Sequence, residues 1–444
     1  MDNIVIIGNG IAGVTTARHI RKRSNHSIAI ISSETDHFFS RTALMYVYMG
    51  HMRYEHIKPY EDDFWKKNRI ELKRAYVKSI DFNKKLLSLD SGECMTYEKL
   101  VLATGSSSNK FGWPGQKLKG VQGLYSVQDL ESMEINTKNI ERAVVVGGGL
   151  IGIEMVEMLR SREIPVTFLV RENSFWDIVI PQQESDMLNR HIREHHVDLR
   201  LSTELKEILS DDQGRAQAIV TSKGDEIACQ FVGLTVGVHP NVEFLKDTPL
   251  EINRGILVNE YLETNIPDVY AAGDCVEHRN PLNHRKAVEQ VWYTGRIMGE
   301  TLAHTLTGNR KAYRPGIWFN SAKFFDIEYQ TYGYVNKELG DQEDELYWEH
   351  YEGRKSVHFV FDKSSRELSG INAFGIRMRH EVFDRWLNEK RSIEYVLEHL
   401  EEANFDPEFF DNYVSEIVEA FTAAFPNSKI ELKRKRGLMA RLFA

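Results

Sequence analysis

Two short glycine runs carry the strongest chemical suggestion in this 444-residue chain. Gly8-Asn9-Gly10-Ile11-Ala12-Gly13 and Gly147-Gly148-Gly149-Leu150-Ile151-Gly152 share the spacing G-x-G-x-x-G. Glycines so spaced permit a tight turn, a close approach of backbone to a pyrophosphate, and close packing of a helix on the preceding strand. A helix starting there turns unbonded N–H groups and the positive end of its dipole toward phosphate. Glu34, 21 residues past Gly13, stands where an acid can accept hydrogen bonds from ribose hydroxyls. The chemistry is the binding of two dinucleotides, one held tightly as a prosthetic group while the other exchanges. Either run alone also suits an ordinary strand–helix turn.

The elements that must position these residues are legible. Ile4–Ile7 reads as a buried strand, Val14–Arg23 as a helix and Ser27–Ile31 as the next strand. Ala143–Val146, Ile153–Arg162 and Val166–Val170 repeat that plan. Between the repeats, Leu100-Val101-Leu102-Ala103-Thr104-Gly105 leads into a Ser/Gly/Pro-rich loop suited to a domain crossing. A third segment, Val269-Tyr270-Ala271-Ala272-Gly273-Asp274, reads as a short strand ending on an acid, followed by a helix from about Val288. Asp274 suits a hydrogen bond to a sugar-like chain, or is simply a turn aspartate. Beyond residue 311 the texture predicts strands over 315–375 and helices after 378. The aromatic cluster at 313–334 reads as core or as a dimer face.

Composition limits the function classes. With 42% hydrophobic and 27% charged residues the chain can build real cores. The net charge of −9 argues against a dedicated nucleic-acid binder. No apolar run reaches the ~18 residues that span a bilayer, and Met1-Asp2-Asn3 enters a strand at once, predicting no secretory leader. Cys94, Cys229 and Cys275 have no C-x-x-C or C-x4-C spacing, which fits a reducing cytoplasm and argues against a zinc ribbon or a disulfide framework. Cys94 and Cys229 are expected on surface strands, Cys275 packed. His195-His196 has no ligand company around it, so no metal is expected.

In combination, Gly8–Gly13, Ala103-Thr104-Gly105, Gly147–Gly152 with Glu154, Thr235–Gly237 with Pro240-Asn241, and Ala272-Gly273-Asp274 resemble the flavoproteins with two dinucleotide-binding domains, within the pyridine nucleotide–disulfide oxidoreductase superfamily. The branch is similar to the rubredoxin and ferredoxin reductases. The resemblance implies an α/β fold of two Rossmann-like domains, one for FAD (1–112 and 240–310) and one for NAD(P)H (113–239). A C-terminal α+β interface domain (311–377) and a helical extension (378–444) complete it. It implies FAD at Gly8, Gly10, Ile11, Ala12, Gly13, Glu34, Arg41, Thr104, Gly105, Gly273 and Asp274, with Gln290 and Val291 at a helix start aimed at the flavin. It implies NADPH or NADH at Gly147, Gly149, Leu150, Ile151, Gly152, Arg171 and Gly237, with Glu154 beside the nicotinamide as the catalytic candidate. Glu154 also suits a first-turn acid that complements the helix dipole. Counting 18 residues from Gly152 reaches Val170, not an acid, and Arg171 follows. That favours NADPH; the alternative is a solvated Arg171 with Glu172 as ribose ligand.

The departures shape the expected reaction. Disulfide-reducing relatives carry a cysteine where this chain has Thr42, and some ferredoxin reductase-like relatives carry a lysine where it has Tyr46. Without a thiolate, a thiol–disulfide relay has no nucleophile. The expectation is hydride transfer from NAD(P)H to FAD, then electron transfer to an external acceptor, a small iron–sulfur carrier or a small molecule. The alternatives are a quinone reductase resting on a membrane and a redox-sensing flavoprotein that acts through partner binding. Residues 392–428 hold nine acids and no Lys or Arg, whereas the last sixteen residues hold six Lys or Arg. The basic 433–444 tail suits self-docking on that acidic stretch better than an anionic bilayer. A homodimer is a further expectation.

Overall fold

The computed structural model describes residues 2–282, 285–405 and 411–433. The chain divides into two compact units.

The first unit contains residues up to Val146, Ser161–Ile164 and Leu205–Pro315. Its main sheet is parallel, in the order Val269–Ala271, Lys99–Leu102, Asn3–Ile7, Ser27–Ser32, Ile70–Arg74. The central Asn3–Ile7 strand is apolar on both faces, as a parallel strand covered on both sides must be. Ile4, Val5 and Ile6 are fully buried. Helix Ile11–Arg23 follows that strand, and helix Trp292–Leu306 packs on it closely, with the Gly299 Cα facing the Ala12 carbonyl. Antiparallel ladders Val77–Asp81, Leu86–Leu89, Cys94–Thr96 and Leu205–Ser210, Ala216–Thr221, Glu226–Ala228 are added. Ala143–Val146 pairs in parallel with Phe231–Leu234.

The second unit contains Gly147–Arg160, Pro165–Glu204 and the chain from Gly316 on. Val166–Leu169 pairs in parallel with Asp198–Arg200. Its largest sheet is antiparallel, in the order Phe319–Phe324, Ile327–Gly333, Leu368–Phe374, Ser356–Asp362, Glu343–Glu349. Helices His380–Asn388, Ile393–Glu398 and Val414–Ala424 join it in one core, where Tyr332 stacks on Phe383 and Phe361 meets Phe421. Phe324, Tyr329 and Tyr332 of the aromatic cluster are buried, so they are core.

Three expectations need correction. Both motif helices start inside the glycine run, at Ile11 and Leu150, because Gly10 and Gly149 already accept the first helical bonds from Val14 and Ile153. The helix expected from about Val288 starts at Trp292, with Val291 as an extended N-cap residue; a buried Arg285–Glu289 ion pair (2.7 Å) belongs to the segment before it. Cys229 is fully buried, not on a surface strand, and burial pushes its thiol up to about 12. It can therefore supply no thiolate at neutral pH.

Lys433 salt-bridges Glu398 at 3.0 Å, and its N–H donates to the Glu398 carbonyl. That is one docking contact on the acidic stretch; the remainder of the basic tail, 434–444, lies outside the described residues. Among the described residues no helix is long and apolar enough to cross a membrane.

Candidate nucleotide sites

The first glycine turn is fixed by backbone. Gly8 takes φ +113°, and its N–H donates to the Ile31 carbonyl (2.8 Å), tying the turn to the neighbouring strand. The second turn copies it: Gly147 has φ +117°, and its N–H donates to the Leu169 carbonyl (3.0 Å). Only glycine adopts that region without strain. At Gly10 and at Gly149, a Cβ would meet no atom within 4 Å. Two equivalent positions, each at the head of a helix, thus face open space. Gly13 and Gly152 lie within the helices that follow, with Ile11, Ala12, Leu150 and Ile151 in their first turns.

Around the first turn, Glu34 is held rather than free. Arg41 grips both its oxygens, Nη1 to Oε1 at 2.8 Å and Nη2 to Oε2 at 2.5 Å. The Val127 N–H donates to Oε1 at 3.1 Å, from the start of the helix that Ser126 caps. A carboxylate offers about four acceptor sites, so one remains for a sugar hydroxyl. Arg41 also lies over the Tyr125 ring, 4.5 Å from its centroid.

Thr104 and Gly105 follow the Lys99–Leu102 strand and are clasped by Asn241. The Thr104 hydroxyl donates to the Asn241 carbonyl (2.8 Å), and the Asn241 N–H to the Gly105 carbonyl (2.9 Å). Asp274, one residue past Gly273, accepts from the Ser106 hydroxyl at 3.2 Å, and the Gln290 amide donates to the same hydroxyl at 2.7 Å. Burial raises the Asp274 carboxyl, while the Ser106 bond and the Arg41 charge oppose the rise. Gly8, Glu34, Arg41, Thr104, Gly105, Asp274 and Gln290 therefore all belong to the first unit. Sequence reading missed Ser106 and Tyr125. Ser106 bridges partners 168 and 184 residues away, and its only sequence signal is its place directly after Thr104-Gly105.

In the second unit, Glu154 sits in the first turns of helix Leu150–Ser161, half-buried. Burial, then the Glu157 carboxylate, pushes its pKa up to about 7. Arg171 is 70% exposed and pairs with its own neighbour Glu172, whose side chain is only 18% exposed. The Glu172 carboxylate lies 3.6 Å from where a Gly148 Cβ would stand, so the acid, not the arginine, faces the glycine turn. Gly237 belongs to the first unit, three residues past the Phe231–Leu234 strand, with φ +85°. His195 has company that its sequence surroundings do not suggest, namely His191 and Asp326.

The family model described as pyridine nucleotide-disulphide oxidoreductase matches residues 2–291. The chain is 29% identical over 279 residues to a Bacillus subtilis nitrite reductase [NAD(P)H], covering 62% of this chain but only 34% of that relative. The chain thus spans about a third of that relative's length. It is 31% identical over 287 residues to an NADH-rubredoxin oxidoreductase from Clostridium acetobutylicum, covering 63% of this chain and 69% of the relative. Among solved structures, the ferredoxin reductase for the CYP199A2 system from Rhodopseudomonas palustris superposes with a TM-score of 0.79 at 24% identity, covering 94% of this chain and 99% of that one.

Proposed function

This chain belongs to the pyridine nucleotide-disulphide oxidoreductase family, and from that premise we propose that it is an FAD-dependent NADH oxidoreductase that feeds single electrons to a small iron–sulfur carrier protein. The observation that carries the reading is the pair of equivalent open positions, Gly10 and Gly149, each above an identically tied turn. The donor set fits FAD in the first unit. The amides at the start of helix Ile11–Arg23 would hold the pyrophosphate, Glu34 a ribose hydroxyl, and Asp274 with Ser106 the sugar-alcohol chain. Bound FAD supplies acceptance of a hydride and its release as separate electrons.

The chain's own residues bind and orient. Arg41 grips both oxygens of the Glu34 carboxylate and so fixes its orientation for the ribose. The Gln290–Ser106–Asp274 chain fixes hydroxyl directions around the cofactor. No cysteine stands in the segment where disulfide-reducing relatives keep one, and Cys229 and Cys275 are buried. Electrons therefore leave for an external acceptor, and the name of the rubredoxin-reducing relative supports a protein carrier.

The nucleotide preference expected from Arg171 changes sign. A carboxylate facing the glycine turn repels a 2′-phosphate and accepts from the two free hydroxyls of NADH. NADH is expected to bleach the flavin at least about tenfold more efficiently than NADPH, and Glu172→Ala to narrow that ratio. Anaerobic stopped-flow with both nucleotides measures it; equal rates would remove the assignment.

Glu154 is assigned to the nicotinamide side of the second site. With its pKa near 7, its charge changes across neutral pH. The rate of flavin reduction should follow an apparent pKa near 7 and lose that inflection in Glu154→Gln. An unchanged pH profile would exclude it. The whole reading is tested by reduction with NADH followed by reoxidation against rubredoxin, ferredoxin, quinone and oxygen. Fast turnover with quinone alone would favour a quinone reductase instead.

A further inference from the structure

We propose that His191, His195 and Asp326 form a binding site for a borderline divalent metal ion of the zinc class, sharing no residue with either nucleotide site. His191 lies on helix Gln182–Glu194, and His195 caps its C-terminal end one turn later, so both rings leave the same helix face. Asp326 is the second residue of the two-residue turn between Phe319–Phe324 and Ile327–Gly333. One ligand atom from each of the three residues lies within 4.8 Å of the others. Two imidazoles and one carboxylate form a donor set that zinc-class ions use, with a position left for water.

The ring nitrogens of His191 mark the site as more than a hydrogen-bonded pair. Its side chain is 1% exposed, yet among the described residues neither ring nitrogen has a hydrogen-bond partner. Nε2 stands 2.6 Å from the Asp326 Oδ1, near but misaligned for donation. His195 Nε2 approaches the same oxygen at 3.1 Å. Both nitrogens therefore face the same carboxylate oxygen, which must move outward for an ion to enter between the three side chains. Co-ligands of a tetrahedral ion with bonds of ~2.0–2.1 Å stand about 3.3 Å apart. Asp326 is 57% exposed at its turn, so its carboxylate can rotate outward to admit the ion.

The surroundings fix the rings. Phe325 takes φ +56°, a strained conformation for an aromatic residue, and lies flat on His195 with centroids 4.1 Å apart and planes 3° apart. His191 and His195 meet edge to face. One opposing charge is present: Arg354 Nη1 lies 3.7 Å from Asp326 Oδ2. Its Nη2 pairs with Glu194 at 3.2 Å, and Glu194 lies 3.8 Å from His191 Nδ1. The ion would take over Asp326 from Arg354, which keeps Glu194. The result is a clip between a helix and a hairpin tip 131 residues apart in sequence. Closing so long a loop stabilises the fold.

The test uses the flavin-loaded protein, stripped with EDTA and dialysed. Titration with zinc chloride by calorimetry should give one saturable site per chain in the micromolar range, and zinc should raise the melting temperature. His195→Gln and Asp326→Asn should each weaken zinc by at least about tenfold and abolish the melting shift, while the flavin spectrum stays intact. His196→Gln, at the adjacent exposed histidine, should change neither readout. No saturable binding, unchanged affinity in both His195→Gln and Asp326→Asn, or a loss seen with His196→Gln would each overturn the site. None of these readouts depends on turnover, so failure here leaves the redox reading standing.

Discussion

Gly10→Val is expected to yield a folded protein that is colourless. Gly10 has φ −72° and ψ −177°, extended backbone that valine adopts freely, and a Cβ there meets no protein atom within 4 Å. The fold therefore tolerates the side chain. On the proposed reading the volume it fills is where the pyrophosphate would touch backbone, so flavin affinity should fall on the order of 100-fold or more, about 3 kcal/mol. Gly8→Val differs: its Cβ would stand 2.0 Å from the Ala103 carbonyl oxygen, at φ +113°, and the protein should fail to fold. Gly149→Val, at the equivalent position of the second repeat, should stay yellow but resist bleaching by NADH. The measurements are circular dichroism and the flavin-to-protein absorbance ratio. A Gly10→Val protein with full flavin content would remove the first site from Gly8–Gly13.

His358→Leu should destabilise the second unit by about 3–5 kcal/mol. His358 and Glu184 are both 0% exposed, with His358 Nδ1 3.4 Å from Glu184 and its Nε2 2.8 Å from Glu345. The Asn372 amide donates to Glu184 at 2.8 Å, and the Tyr329 hydroxyl to Asn372 at 3.2 Å. Burial disfavours the charged imidazole, but the two carboxylates together outweigh it and raise its pKa to about 9. A raised histidine stabilises the fold fully below its unfolded value near 6.5, and the contribution fades as pH rises through about 9. Melting temperatures of the parent protein should therefore drop between pH 7 and 10, and this slope should flatten in His358→Leu. Removing the histidine alone strands the buried Glu184 carboxylate. Glu184→Leu/His358→Leu should recover much of the loss, because an apolar pair needs no desolvated charge. A single variant as stable as the parent would show that the network carries no such charge.

The strand–turn–helix repeats were legible because they are local: glycine spacing, an apolar run and the next strand all lie within about thirty residues. Gly8, Gly10, Gly147, Gly149 and the ribose candidate Glu34 followed from it, and Asp274 from the equally local strand-and-acid segment Val269–Asp274. What stayed hidden depends on long-range neighbours. That Cys229 is buried, that Ser106 joins Asp274 to Gln290, and that Glu172 turns toward the glycines while Arg171 turns to solvent are consequences of packing.

Two G-x-G-x-x-G turns and the absence of a cysteine around Thr42 can be read from residue order alone, because both belong to short stretches of chain. Which charged side chains meet is set by folding. His358 between two glutamates, and His191 and His195 against Asp326, join residues far apart in sequence, and electrostatic interactions depend on distance and burial, which spacing along the chain does not encode.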